Sequence, residues 1–108
     1  MIPLTKLKKN DLQVMLQAVK EHYNAHKILV DTLGYDVHKL SVSILQELAE
    51  IIFDKTAKSY KQQTFSLKLR DHQAQILVKA LNKYRHEANT PHDKNTALGL
   101  ILLIDPKI

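Results

Sequence analysis

The chain has 108 residues, 44% of them hydrophobic, a net charge of +5, no cysteine, two glycines and three prolines. That length and apolar content fit one domain, residues 1–108, with a core of its own and argue against wholesale disorder; two glycines are too few for the turns of an all-β fold, and the absence of cysteine excludes disulfides, thiol catalysis and Cys-based metal sites. The longest apolar run, residues 97–104, is much shorter than the about 20 residues of a membrane span, and residues 1–6 hold no signal-peptide core, so the expectation is a cytoplasmic protein with no membrane partner.

Residues 1–9, with Pro3 and the cluster Lys6, Lys8 and Lys9, read as a flexible basic arm that Leu4 and Leu7 can pin to the body. Asn10 is then the N-cap of a first helix over 11–33. Leu12, Leu16, Val19, Tyr23, His26, Val30 and Leu33 recur at alternating steps of four and three, a heptad-like seam that Met15 and Leu29 widen. The same seam serves a coiled coil or an intramolecular bundle, and three repeats in so short a chain favour the bundle. Gly34 stands where a left-handed residue closes a helix. The short link 34–36 predicts an αα-hairpin with a second helix over 37–59, capped by Asp36. Its apolar side carries Leu40, Ile44, Leu45, Leu48, Ile51 and Ile52, and its polar side Lys39, Gln46, Glu47, Glu50 and Asp54.

At 64–70 the period changes. Phe65, Leu67 and Leu69 alternate with Ser66, Lys68 and Arg70, the two-residue rhythm of a half-buried strand. One strand cannot satisfy its own backbone, and three partners stay open: the N-terminal arm, the C-terminal run, or the same segment of a second copy, which would make a homodimer through the 64–70 edge. Asp71 is read as the N-cap of a third helix over 72–88, whose apolar face is Ala74, Leu77, Leu81, Tyr84 and Ala88. Pro91 disfavours helical geometry at Thr90 and so ends that region. Asp93 or Asn95 can cap a final helix over 94–104, with a buried strand as the rival reading. Leu98 and residues 100–104 are apolar all round, which predicts that this piece is largely buried.

The predicted fold is mainly α: a small four-helix domain with one short extended segment at about 64–70. Its expected core holds Leu16, Val19, Leu40, Ile44, Leu48, Ile52, Leu67, Leu77, Leu81, Leu98 and Ile101.

Catalysis has little footing. Ser41, Ser43, Ser59 and Ser66 stand in no strand–turn–helix elbow with flanking glycines, there is no glycine-rich phosphate loop, and Glu47, Glu50 and Asp54 read as a solvated helix face. We therefore expect no enzyme, no catalytic residues and no cofactor. His22 and His26 are four apart and share a helix face, but the first lacks the adjacent Glu of a zinc peptidase motif, and His26 lies on the apolar seam. His72, His86 and His92 surround the third helix without a ligand spacing, and read as solvated helix ends. No metal site is predicted.

The charge is the most informative feature. Residues 55–86 hold Lys55, Lys58, Lys61, Lys68, Arg70, Lys79, Lys83 and Arg85 against Asp71 alone, so the whole positive excess lies there. Lys68, Arg70, Lys79, Lys83 and Arg85 are the candidate residues for phosphate or an acidic partner, if strand and helix bring them onto one surface. Lysine outnumbers arginine fourteen to two, which argues against base reading, and the acidic side of the second helix is placed to neutralise the belt. The leading functional expectation is a non-enzymatic interaction module that binds protein partners or itself. The alternative is a nucleic-acid-binding protein using the basic belt of residues 55–86.

Overall fold

The computed structural model describes residues 1–34, 39–58 and 64–108. In chain order these form strand β1 (Ile2–Leu7), helices α1 (Lys9–Leu33) and α2 (Lys39–Lys58), strand β2 (Phe65–Leu69), helices α3 (Asp71–Glu87) and α4 (Pro91–Ile104), and a closing 3-10 turn, Asp105–Lys107. The architecture is mainly α, with four helices and one two-stranded antiparallel sheet among the described residues.

The expected strand at 64–70 is β2, and its partner is the N-terminal segment. Ile2 faces Leu69, Pro3 faces Lys68, Leu4 faces Leu67 and Leu7 faces Phe65. Three steps on β1 between Leu4 and Leu7 match two on β2, a bulge that takes up one residue. Lys6 has φ +58, the left-handed geometry that absorbs the extra residue. The bulge corrects the reading of residues 1–9 as an irregular arm. Ile2, Leu4 and Leu7 are all buried, but their spacing of two and then three breaks the strand rhythm, so the sequence hides the strand. Pro3 offers no N–H to a ladder and sits exposed, as prolines of short edge strands do.

The helix ends follow from local chemistry. Asp11 accepts the Lys8 N–H at 2.8 Å, so α1 starts before the expected Asn10 cap. Asn10 instead donates through Nδ2 to Thr96 Oγ1 at 3.3 Å and lies 3.0 Å from His92 Nε2, which ties the start of α1 to α4. Gly34 closes α1 as predicted, with φ +67 and its N–H on the Val30 carbonyl at 3.1 Å. The Asp36 cap and the end of the second helix at Ser59 lie outside the described residues. At α3 the capping acceptor is Gln73 Oε1 rather than Asp71: it takes the Arg70 N–H at 3.0 Å, while Gln73 Nε2 reaches Glu47 at 3.4 Å. Gln73 is a buried polar side chain in the core, and its bond to Glu47 links α3 to α2. At α4, Thr90 Oγ1 accepts the Asp93 N–H at 3.2 Å and Pro91 fills the first helical position, where its missing N–H costs nothing. Pro91 thus opens α4 three residues earlier than expected. The rival strand reading of 94–104 is excluded.

One core runs through the molecule. Ile2, Leu4 and Leu7 of β1 and Phe65, Leu67 and Leu69 of β2 lie on it, joined by Leu12, Val14, Met15, Ala18 and Val19 of α1, Ile44, Leu45, Leu48 and Ile52 of α2, Ala74, Leu77, Ala80 and Leu81 of α3, and Ala97, Leu100 and Ile104 of α4. Leu40, expected there, is exposed, and so is Leu98; Leu16 and Ile101 are half-buried at the margin. The heptad-like seam of α1 runs past the elements that cover it. Every fully buried α1 residue lies between Leu12 and Val19, and Leu33 at the far end is exposed.

Candidate functional site

The five basic candidates do not share one surface. Lys68 and Arg70 stand on the exposed side of β2 and its end, and with Met1, Ile51 and Gln73 they line a groove of about 450 Å³. The same groove is lined by Glu47, Glu50 and Asp54 of α2. The polar face of α2 therefore lies opposite these two cations and offsets their field.

Lys79 and Lys83 lie elsewhere, one turn apart on the exposed side of α3 and close to the α1 histidines. Their effect there is visible on His22. Burial is the largest cause, and His26, Lys83 and Lys79 add to it; together they push the His22 imidazole down from 6.5 to about 4. At neutral pH the ring is uncharged, and its Nδ1 is buried without a hydrogen-bond partner. The His22 and His26 rings lie 4.3 Å apart, centroid to centroid, at an interplanar angle of 57°. Two nearby ammonium groups make this pair a poor seat for a cation. Among the described residues no three His, Asp or Glu side chains gather to hold a metal.

Arg85 points away from Lys79 and Lys83. At about 100° per residue it lies roughly 120° to 160° around α3 from Lys79 and Lys83. Half-buried, it donates from Nη2 to Asn82 Oδ1 at 3.0 Å, and its Nε is buried without a partner. The helical twist of α3 thus separates Arg85 from Lys79 and Lys83, while Lys68 and Arg70 line a groove that neither lysine borders.

On its inner side α3 carries Tyr84. Burial, then the nearby charges of Asp93 and Glu21, and a hydrogen bond with Asp93 raise its phenol above the usual 10.0. These interactions set Tyr84 of α3 close to Asp93 of α4.

The surface that sequence reasoning missed is on α4. The sequence predicts a helix apolar all round and largely buried, but it packs at the rim of the bundle and buries only Ala97, Leu100 and Ile104 fully. Leu98, Leu102 and Leu103 are 37%, 65% and 36% exposed. Gly99 lies beside them, and a Cβ placed on it would meet nothing within 4 Å. Single exposed leucines are ordinary, but a cluster of three on one helix face, around a glycine, is a patch. The other large apolar side chains exposed among the described residues are Met1, Ile28, Leu33, Leu40, Ile108 and Phe53, the last bordering a groove of about 420 Å³ between α1 and α2 with Leu16, Lys20 and Ala49. The signal for the α4 patch was present in the sequence, in a helix apolar on more sides than a four-helix domain of this size can cover.

No family model, curated protein or solved structure matches this chain. Among the described residues no helix is long and apolar enough to cross a membrane. What the fold and its surface define is a small mainly α domain with a two-stranded antiparallel sheet and an uncovered apolar helix face.

Proposed function

We propose that the protein is a non-enzymatic interaction module whose working surface is the outer face of α4. The observation that carries this reading is the exposure of Leu98, Leu102 and Leu103 side by side on a helix whose opposite side is locked into the core. Apolar surface held rigidly in water gains free energy when a partner covers it, at roughly 25 cal/mol per Å². A helix face of this kind suits an apolar helix or groove on a partner. The edge of β2 is a weaker candidate, because β1 already pairs with one of its two sides and only the other stays open.

The nucleic-acid reading draws less support. Lys68 and Arg70 share their groove with three acids, Lys79 and Lys83 lie beside His22 and do not line that groove, and Arg85 points away from Lys79 and Lys83 around α3. Phosphate tracking needs cations along one surface.

The test is a photoreactive amino acid placed at position 102, and separately at position 79, in the full chain in its own cells. The reading expects a covalent adduct with protein at 102 and none with nucleic acid at 79. No protein adduct at 102, or a nucleic-acid adduct at 79, contradicts it.

A further inference from the structure

The outer face of α4 carries more information than its leucines. At about 100° per residue, Lys94, Leu98, Leu102 and Asp105 fall within roughly 80° of one another, and so form one stripe along the helix. All four are exposed. The stripe is apolar in the middle, basic at the N-terminal end and acidic at the C-terminal end. Lys94 and Asp105 are eleven residues apart, about 16 Å of helix, and among the described residues neither side chain makes a hydrogen bond or ion pair. The cation that follows in sequence, Lys107, is turned away to the Pro3 carbonyl at 3.1 Å. Asp105 sits at the C-cap, where the helix's negative end disfavours a carboxylate.

Such a stripe complements itself when reversed. We propose that the partner covering α4 is a second copy of this chain, packed helix against helix, antiparallel, about a two-fold axis that crosses the outer face midway between Leu98 and Leu102. This rests on the reading of α4 as the working surface, and names its occupant. In that arrangement Leu98 meets the partner's Leu102 and Leu102 meets the partner's Leu98. Lys94 comes within one residue of the partner's Asp105, and the symmetry repeats the pair at the other end. A parallel arrangement would instead set lysine against lysine and aspartate against aspartate. Gly99, beside the stripe with open space over its Cα, lets the two backbones approach closely at the crossing. The two helix dipoles run in opposite directions, and each Asp105 gains a cation that its own helix end lacks.

One helix face of this length covers less than the roughly 800 Å² per partner of a standard interface, so the dimer belongs with the small, weak and transient interfaces. The lysine–aspartate pairs lie at the rim, exposed to water and screened by salt. They select the antiparallel orientation, and the leucines supply the association.

The experiment is sedimentation equilibrium of the full chain, from about 10 to 500 μM and at low salt, with each variant first checked for native circular dichroism. The wild type is expected to show a monomer–dimer equilibrium that Leu102→Glu abolishes over this range. Lys94→Asp alone, or Asp105→Lys alone, turns two attractive pairs into two repulsive ones and is expected to weaken the dimer by about tenfold. The double variant Lys94→Asp/Asp105→Lys restores opposite charges in the antiparallel pair and is expected to return within about twofold of the wild type. A wild type that stays monomeric throughout overturns the proposal, as does a dimer indifferent to Leu102→Glu or a double variant as weak as the single ones. A monomeric wild type that nevertheless yields an adduct with a different protein at position 102 overturns self-pairing and leaves the α4 docking surface standing.

Discussion

Leu4→Ala is expected to lower the stability of the protein by about 3 kcal/mol, one of the larger losses that a single substitution in this chain can produce. Leu4 is fully buried, it faces Leu67 across the sheet, and its β1 neighbours Ile2 and Leu7 are buried with it. Truncation removes buried methyl groups and leaves a cavity that a bulged two-stranded sheet, packed on the core by one face, cannot readily close. Equilibrium denaturation in urea measures the loss as a lower midpoint at unchanged slope. Residues 1–9 as a solvated arm would give a change within about 0.5 kcal/mol, the usual range for surface positions. The two accounts of the N-terminus therefore differ by several-fold in one measurable quantity.

The second large effect is a pH dependence centred on His22. Its ring titrates at about 4 in the folded protein against 6.5 for an unperturbed histidine. Between those values the unfolded chain binds the proton more readily, so stability rises with pH across that interval. The contribution of the neutral ring is complete above pH 6.5 and is lost as the pH falls toward 4. The ring is only half-buried, and solvent screening reduces the effect to about 1–2 kcal/mol. Among the described residues, Glu21 and His26 on α1, and Lys79, Lys83, Tyr84 and Glu87 on α3, are the titratable groups around it. His22→Gln is expected to flatten the stability profile between pH 4 and 6.5 relative to the wild type. Lys83→Met, which removes a neighbouring positive charge, is expected to move the His22 titration upward in proton NMR. A profile that His22→Gln leaves unchanged would show that the ring is not held neutral in the fold.

The parts of the fold legible in the sequence are those where one residue or one period decides the local structure. Phe65, Leu67 and Leu69 announced β2 because nothing interrupts their alternation. Gly34 announced the end of α1 because a left-handed C′ position favours a residue without a side chain. β1 was hidden for the opposite reason: a bulge between Leu4 and Leu7 adds a residue, and Pro3 with three lysines gives the segment the composition of a loop. Helix starts were displaced where two residues compete to cap. Gln73 reaches back to the Arg70 N–H where Asp71 was expected to cap, and Pro91 can open a helix as readily as it closes one. The surface was less legible than the core. Charge counted along the chain placed Lys68, Arg70, Lys79, Lys83 and Arg85 together, but strand and helix project them in different directions and α2 sets Glu47, Glu50 and Asp54 opposite the first two. Apolar content along α4 implied burial, yet burial depends on how many neighbours the bundle supplies, and α4 lies at its rim.

The most direct test of α4 as the working surface is a set of amide NMR spectra of the labelled protein, recorded over a concentration series, in concentrated cell extract, and with an added oligonucleotide. The account predicts shifts or broadening that gather at Leu98, Gly99, Leu102 and Leu103 as concentration rises or extract is added, and little change with the oligonucleotide. Silence at those four residues under every condition, with the oligonucleotide instead moving Lys68, Arg70, Lys79 and Lys83, would contradict it and return the basic residues to the centre of the protein's function.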